Sequence, residues 1–275
     1  MAARGSRGRR AGGRSDFGAR LLAAIPAIAF AIFIVYRGGE VFAAGVLVLG
    51  FVCMHELFQM LDAARPVKLA GFLGLTAMVG AALWGDQFHV VLVQAALFPV
   101  TFGLLLLSPL RRGAAASVSV TLFGAWWIGL ALAHAVLLRE LPHGGAILVD
   151  VLVGTFIGDT GAYLGGRMYG RRPLAPQISP NKTVEGLLIG MVFAIAATWF
   201  AGLYQDWLSG GQALLLGLGV ALAAPVGDLF ESLIKRDSGT KDTGRFFGPH
   251  GGALDRLDAV FFSIPAAYYI WSALL

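Results

Sequence analysis

The chain has 275 residues, 57% of them hydrophobic and 13% charged, with a mean hydropathy of +0.74 and a formal net charge of +5. Soluble domains run near a quarter charged, and a soluble fold of this length could not hide so much apolar surface, so a water-soluble enzyme is excluded. The single cysteine, Cys53, excludes an intramolecular disulfide and a Cys-based zinc site; within an apolar run it reads as a small buried hydrophobe.

Residues 1–19 are rich in Arg and Gly and predict a disordered cytoplasmic tail, with weak contact to anionic headgroups as the functional alternative. Nine apolar runs follow, at about 20–36, 41–61, 68–85, 88–108, 116–138, 146–165, 184–204, 212–234 and 257–275. A bilayer-spanning helix needs ~20 residues. The first run follows a basic segment, as in a signal peptide. It ends in Tyr36 and Arg37 without an evident small-residue cleavage site, so it reads as an uncleaved helix.

Assigning the connections alternately to two sides separates the charges. One side receives Arg4, Arg7, Arg9, Arg10, Arg14 and Arg20, then Arg65 and Lys68, then Arg111 and Arg112. It also receives Arg167, Arg171, Arg172 and Lys182, and finally Lys235, Arg236, Lys241, Arg245 and Arg256. The other side keeps Arg37 and Arg139. The positive-inside rule places the basic side in the cytoplasm. The expected fold is therefore an all-α polytopic integral membrane protein of about nine transmembrane helices, with a cytoplasmic N-terminus.

The first five runs, 20–138, form an N-terminal region nearly free of intramembrane acids. Glu56, beside His55, is the exception; a Glu within a span is a functional suspect, with a helix-packing hydrogen bond or a dimer contact as the equal alternative. Trp126, Trp127 and His134 read as packing residues. Residues 139–275 form a C-terminal region of four runs with two long loops, roughly 166–183 and 235–256, rich in Gly, Pro and basic residues. Long ordered loops tend to carry function. Gly186 and Gly190 form a small-xxx-small pair, which reads as close helix packing.

In the eighth run Asp228, Glu231, Ser232 and Lys235 fall at i, i+3, i+4 and i+7, hence on one helical face. A polar stripe of this kind must line a wet cavity or bind a counter-ion. Asp255 and Asp258 are i, i+3 at the start of the ninth run. Asp228, Asp255 and Asp258 are a candidate oxygen-ligand set for Mg²⁺, which bridges substrate phosphates; pairing with Lys235, Arg236 and Arg256 is the alternative. The loop between these runs combines basic residues with Gly239, Gly244, Gly248, Gly251 and Gly252, which allow backbone to approach a bulky anion. Basic groups, backbone donors and acids together suit phosphoryl or nucleotidyl transfer. In the earlier loop Asp159 ends one run, while Lys182-Thr183 and Glu185 open the next, where free backbone N–H groups favour phosphate. SPNKT lacks the glycines of a Walker A loop, and neither a Gx-Ser-xG elbow nor an HExxH motif is present.

The stretch Ser232 to Asp258 resembles the signature of phosphatidate cytidylyltransferases, or CDP-diacylglycerol synthases. Its fixed positions are Ser232, Lys235, Arg236, Lys241, Asp242, His250, Gly251, Gly252, Asp255, Arg256 and Asp258, with Ala253 where a larger aliphatic residue is usual. The upstream DTGAYxxGRxxGRR…LAPxISPNKTVEG is similar to the family's second block. The resemblance implies transfer of a cytidylyl group from CTP to phosphatidic acid, with Mg²⁺, and a second cation as an option. Asp228, Asp255 and Asp258 would bind metal, and Lys235 would act on a phosphate beside Ser232. Arg236, Lys241 and Arg256 would hold phosphates. Asp159, Lys182 and Glu185 would build the nucleotide site, and His250 would bind phosphate or shape its loop. CTP, phosphatidic acid, membrane lipids and a second copy in a homodimer are the expected partners; nucleic acid is not. An ether-lipid cytidylyltransferase, a CTP-dependent polyprenol kinase and an ion-coupled transporter remain the alternatives.

Overall fold

The computed structural model describes residue 26 and residues 28–108, 113–244 and 251–275. The chain runs through α1 (Ile28–Arg37), α2 (Gly39–Met60), α3 (Lys68–Trp84), α4 (Gln87–Leu106) and α5 (Ala114–Gly124). A π-helical segment, Ala125–Gly129, joins α5 to α6 (Leu130–Glu140). Then follow α7 (Gly144–Tyr169), β1 (Pro173–Ala175), β2 (Ser179–Thr183), α8 (Val184–Gly202), α9 (Gly210–Asp237), α10 (Leu254–Leu257) and α11 (Val260–Leu274). Seven of these stretches are long and apolar enough to cross a membrane: α2, α4, Ala114–Glu140, α7, α8, α9 and Leu254–Leu274. The chain is an integral membrane protein built of helices. The basic tail, Arg111, Arg112, Arg245 and His250 lie outside the described residues.

Two of the expected nine apolar runs form helices of fewer than 18 described residues. Ile28–Arg37 and Lys68–Trp84 are shorter apolar helices. At 1.5 Å per residue α3 reaches about 25 Å, less than the ~30 Å hydrocarbon layer. A second departure is the antiparallel β1–β2 hairpin, with Pro173 opposite Thr183 and Ala175 opposite Ser179.

Local chemistry sets the helix boundaries. Gly38 and Gly39 both have positive φ, which lets α1 turn into α2 across one residue. Asp86 caps α4 by accepting the His89 N–H at 3.1 Å, and the His89 ring and N–H hold its carboxyl below the usual carboxylate range. Thr183 caps α8 through the Gly186 N–H, and Ser209 with Gln212 forms a capping box on α9.

Two features position the functional region. The first is a seam between α7 and α8. Gly154, Gly158, Ala162 and Gly166, spaced by four, lie against Thr198, Ala194, Gly190 and Gly186, also spaced by four. A Cβ on Gly190 would meet the Ala162 side chain and the Gly158 carbonyl. Without a hydrophobic driving force in lipid, such close backbone approach supplies the packing contact. The second is an aromatic cluster, in which Trp127 of the π-helical segment meets Phe230 of α9 edge-on at 4.9 Å and Phe261 of α11 at 6.4 Å. One buried apolar cluster runs from Ile34 to Trp271 and so joins both regions.

Loop contacts sort the helix ends. Ser117 Oγ donates to the Arg65 carbonyl at 2.5 Å, Arg236 Nε donates to the Ile178 carbonyl at 3.1 Å, and Glu56 near the end of α2 accepts the Leu254 N–H at 3.0 Å. The α2–α3, α7–α8 and α9–α10 connections therefore share one end of the bundle. At the other end Arg139 Nε donates to the Val35 carbonyl at 2.9 Å, and Trp271 Nε1 donates to the Pro142 carbonyl at 2.8 Å.

Candidate active site

A cavity of about 370 Å³ opens between α7, α8, α9 and the β1–β2 hairpin. Its polar lining is Thr155, Asp159, Tyr163, Arg167, Asn181, Lys182, Thr183 and Asp228; away from the charged groups, Ala194, Ala221, Ala224 and Pro225 make it largely apolar. Gly158, Gly166, Gly186 and Gly190 line it from the α7–α8 seam, so the packing that joins the two helices also shapes the cavity wall. Pro225 has no N–H to give the carbonyl one turn before it, which belongs to Ala221, another lining residue.

Lys182, arriving from β2, places its Nζ 2.5 Å from Asp228 Oδ2 of α9. Asp159 of α7 is within electrostatic reach of Asp228, Asp258 and Lys182. Asp258 also interacts with Glu231, and its Oδ1 accepts the Ala259 N–H at 2.8 Å. The structure thus brings together Asp159, Lys182, Asp228 and Asp258, from four separate elements.

Lys235, two turns further along the same face of α9, is held by Glu231 at 2.6 Å and Asp255 at 2.9 Å. Glu231 is fully buried, and the Asp255 side chain is 10% exposed. Asp255 also accepts the Gly252 N–H at 2.7 Å and the Thr243 N–H at 3.1 Å. Of the metal set Asp228, Asp255 and Asp258 expected from spacing, Asp255 is thus engaged by protein donors in this structure. Among the described residues no three acidic, His or Cys side chains gather at ligand distance. Asp255 instead ties the base of the α9–α10 connection, because two backbone donors and an ammonium group occupy its oxygens.

Glu185, expected to help build the nucleotide site, also engages protein donors. It is absent from the cavity lining; its Oε2 accepts the Arg171 and Arg172 N–H groups at 3.0 and 3.1 Å, and its Oε1 accepts Arg172 Nε at 2.9 Å. It fixes the turn after α7. Arg236 likewise holds the hairpin through Ile178. Ser232 is half-buried on α9, while Lys241 and Arg256 are exposed at the same end of the bundle. His250 lies outside the described residues.

Tyr163, Arg167 and Asn181 are cavity residues that the sequence reading did not select. The signal was present: Gly158, Ala162, Gly166 and, one residue on from each of the last two, Tyr163 and Arg167 recur along a single face of α7.

The donor set suits a hard cation. The carboxylates of Asp159, Asp228, Glu231, Asp255 and Asp258 outnumber the two lysines paired with them. Glu231 Oε1 is buried without a hydrogen-bond partner. Uncompensated carboxylates in a low-dielectric setting favour oxygen coordination of a divalent cation.

The profile of the cytidylyltransferase family matches residues 18–274. The phosphatidate cytidylyltransferase of Synechocystis is 31% identical over 293 residues, covering 93% of this chain and 97% of that protein. The Bacillus subtilis protein of the same name is 31% identical over 265 residues, with the same coverage. The uncharacterized protein YnbB of Escherichia coli is 36% identical over 228 residues, covering 81% of this chain and 66% of YnbB. With its acidic and basic groups facing one cavity at the helix ends, and with this match across nearly its whole length, the chain belongs to the cytidylyltransferase family.

Proposed function

We propose that the chain is a phosphatidate cytidylyltransferase, which joins CTP and phosphatidic acid to give CDP-diacylglycerol and pyrophosphate in phospholipid synthesis. The observation that carries the reading is the cavity between α7, α8 and α9. Its mouth holds Asp159, Arg167, Lys182 and Asp228, and away from them its lining is largely apolar. An amphiphilic pocket of this kind suits a phosphate headgroup whose tails stay in the membrane.

The phosphate monoester of the lipid is largely dianionic at neutral pH. One of its oxygens bonds to the α-phosphorus of CTP as the bond to the bridging oxygen of pyrophosphate breaks, and no proton need be removed. The protein's task is charge neutralisation and in-line alignment. Lys182 and Arg167 reach the phosphates from the cavity wall. Lys235 serves the reaction from the buried side, beside Ser232. Lys241, Arg256 and Arg236 lie at the bundle end that holds the mouth and would meet the triphosphate there; His250, outside the described residues, would bind phosphate or shape its loop. Asp228, Asp255 and Asp258 would hold Mg²⁺, and the acidic surplus extending to Asp159 and Glu231 would attract a second cation. When bound, the metal lowers the cost of charge on the α-phosphate and the departing pyrophosphate.

The same reading gives nine membrane crossings, with the N-terminus and the active site on the cytoplasmic face of the cell membrane. It is supported by the basic residues of the α2–α3, α7–α8 and α9–α10 connections, which share one bundle end with the cavity mouth. A homodimer is the expected assembly. Residues 139–275 would be the catalytic region and residues 20–138 its support.

The test uses purified protein, dioleoyl phosphatidic acid, Mg²⁺ and CTP labelled at the α- or the γ-phosphate. Label from the α-position in lipid, lost in Asp228→Asn, is the expected result. Label from the γ-position in lipid would make the protein a kinase, and no lipid label from folded protein would defeat the reading.

A further inference from the structure

Glu56 lies in α2, far in sequence from the site just described, and is 4% exposed. Its Oε2 accepts the Leu254 N–H at 3.0 Å, across 198 residues, and the Thr243 hydroxyl at 3.5 Å. Leu254 opens α10, and the first N–H groups of a helix have no partner within it. Glu56 supplies that partner from another helix.

The glycines of the α9–α10 connection make the approach possible. A Cβ on Gly244 would run into Glu56 Oε1, and one on Gly252 would run into Glu56 Oε2 and the Thr243 hydroxyl. The anion these two glycines admit is the protein's own carboxylate. From the opposite side Asp255 takes the N–H groups of Thr243 and Gly252. Two carboxylates, one from α2 and one from α10, thus pin Thr243 and Gly252 side by side, with Lys241 two residues before the one and Arg256 four residues after the other.

We infer that Glu56 is a positioning residue for the cytidylyl transfer, acting as a clamp by which the N-terminal helices hold Thr243, Gly252 and the start of α10, and with them Asp255 and its partner Lys235. The inference rests on the function proposed above. It gives the N-terminal region a role beyond anchoring.

The clamp depends on an accepting oxygen at the right reach, which separates two conservative changes. Glu56→Gln keeps an accepting carbonyl at the same distance. Glu56→Asp keeps the charge but withdraws it by one methylene. Hydrogen exchange of peptides covering 241–244 and 251–258, read beside kcat and KM for CTP, tests the difference in the full-length protein. In Glu56→Asp and Glu56→Ala, exchange at Gly252 and Leu254 should rise at least tenfold, and KM for CTP should rise about tenfold with kcat falling. Glu56→Gln should stay within about threefold of wild type in each. Wild-type exchange and KM in Glu56→Asp and Glu56→Ala, or equal losses in Glu56→Gln and Glu56→Ala, would overturn the clamp. If the wild type transfers no cytidylyl group, the proposed function falls, while exchange at Leu254 still decides the clamp.

Discussion

The ammonium group of Lys182 stands 2.5 Å from the carboxylate of Asp228, and this pair joins the two motif-bearing parts of the chain. Lys182 ends the hairpin between α7 and α8, and Asp228 sits in the middle of α9. Both side chains are partly exposed, at 27% and 34%, and both line the cavity. On the function proposed above, Lys182 is a charge placeholder: it offsets Asp228 within the protein and would turn to a phosphate when a cation arrives with the nucleotide.

The two partners should therefore fail differently. Lys182→Met should raise KM for CTP and lower kcat, with a combined loss on the order of 10²-fold, comparable to removing one charge-stabilising donor. Its stability cost should be small, about 1 kcal/mol, because a third-exposed ion pair is screened. Asp228→Asn should lower kcat by roughly 10²–10³-fold and also abolish any rise in thermal unfolding temperature on adding Mg²⁺. Steady-state kinetics and unfolding with and without Mg²⁺ check both. A full Mg²⁺ shift in Asp228→Asn would remove Asp228 from the cation site.

Lys235 is a harsher case. It is 15% exposed, between a fully buried Glu231 and a nearly buried Asp255. Lys235→Met leaves both acids without their counter-charge, and breaking a buried pair costs roughly 3–5 kcal/mol. Adding Glu231→Gln should restore part of that stability, since one stranded charge is gone, but no activity. A double-mutant cycle in unfolding free energy, set beside the two activities, measures the coupling directly. Recovery of activity in the double variant would assign Lys235 a structural role alone.

The polar face of α9 was legible because helical periodicity is fixed: Asp228, Glu231, Ser232 and Lys235 had to share a side, and lipid cannot accept that side. Seven of the spans were legible because the bilayer fixes the length of an apolar helix that crosses it. The partners of Asp255 were not. Its i, i+3 spacing to Asp258 says that the two face one way on a helix, but α10 is a single turn, and the groups that claim Asp255 come from residues 12 and 20 positions away. The backbone partners of Glu185 were hidden for a similar cause. A carboxylate in the first turn of α8 looks like part of a phosphate site until the turn at Arg171 and Arg172 folds back onto it. Hydropathy and periodicity report what an element shows to lipid or to a neighbouring helix; they carry no information on which loop backbone returns to satisfy a given acid.

The seam between α7 and α8 gives a prediction about packing. A side chain at Gly190 would meet the Ala162 side chain and the Gly158 carbonyl, and neither can move without shifting a helix. Gly190→Val should cost about 1–3 kcal/mol or more through overpacking. Because Gly158 and Gly190 both line the cavity, separating the helices should also raise KM for the lipid substrate. Gly211, whose Cβ position is open, is the control: Gly211→Ala should leave unfolding temperature and KM unchanged. Equal behaviour of the two variants in detergent-solubilised unfolding would mean that the seam does not set the cavity.

Arg167 tests the cavity assignment itself, since periodicity along α7, not the acidic cluster, points to it. It lines the same mouth as Lys182 and Asp228. A guanidinium offers a planar fork of donors that matches two phosphate oxygens, whereas an ammonium group offers a point charge. If Arg167 grips a phosphate, Arg167→Lys should keep the charge and lose much of the fit, raising KM for one substrate several-fold. Arg167→Gln should lose both, by roughly 1.5–3 kcal/mol in apparent substrate affinity, the range for a hydrogen bond to a charged group. Measuring KM for CTP and for phosphatidic acid separately shows which phosphate it serves: a rise confined to CTP puts the triphosphate against α7, and a rise confined to the lipid puts the headgroup there. Unchanged constants for both in Arg167→Gln would place the reacting phosphates elsewhere than the cavity between α7, α8 and α9.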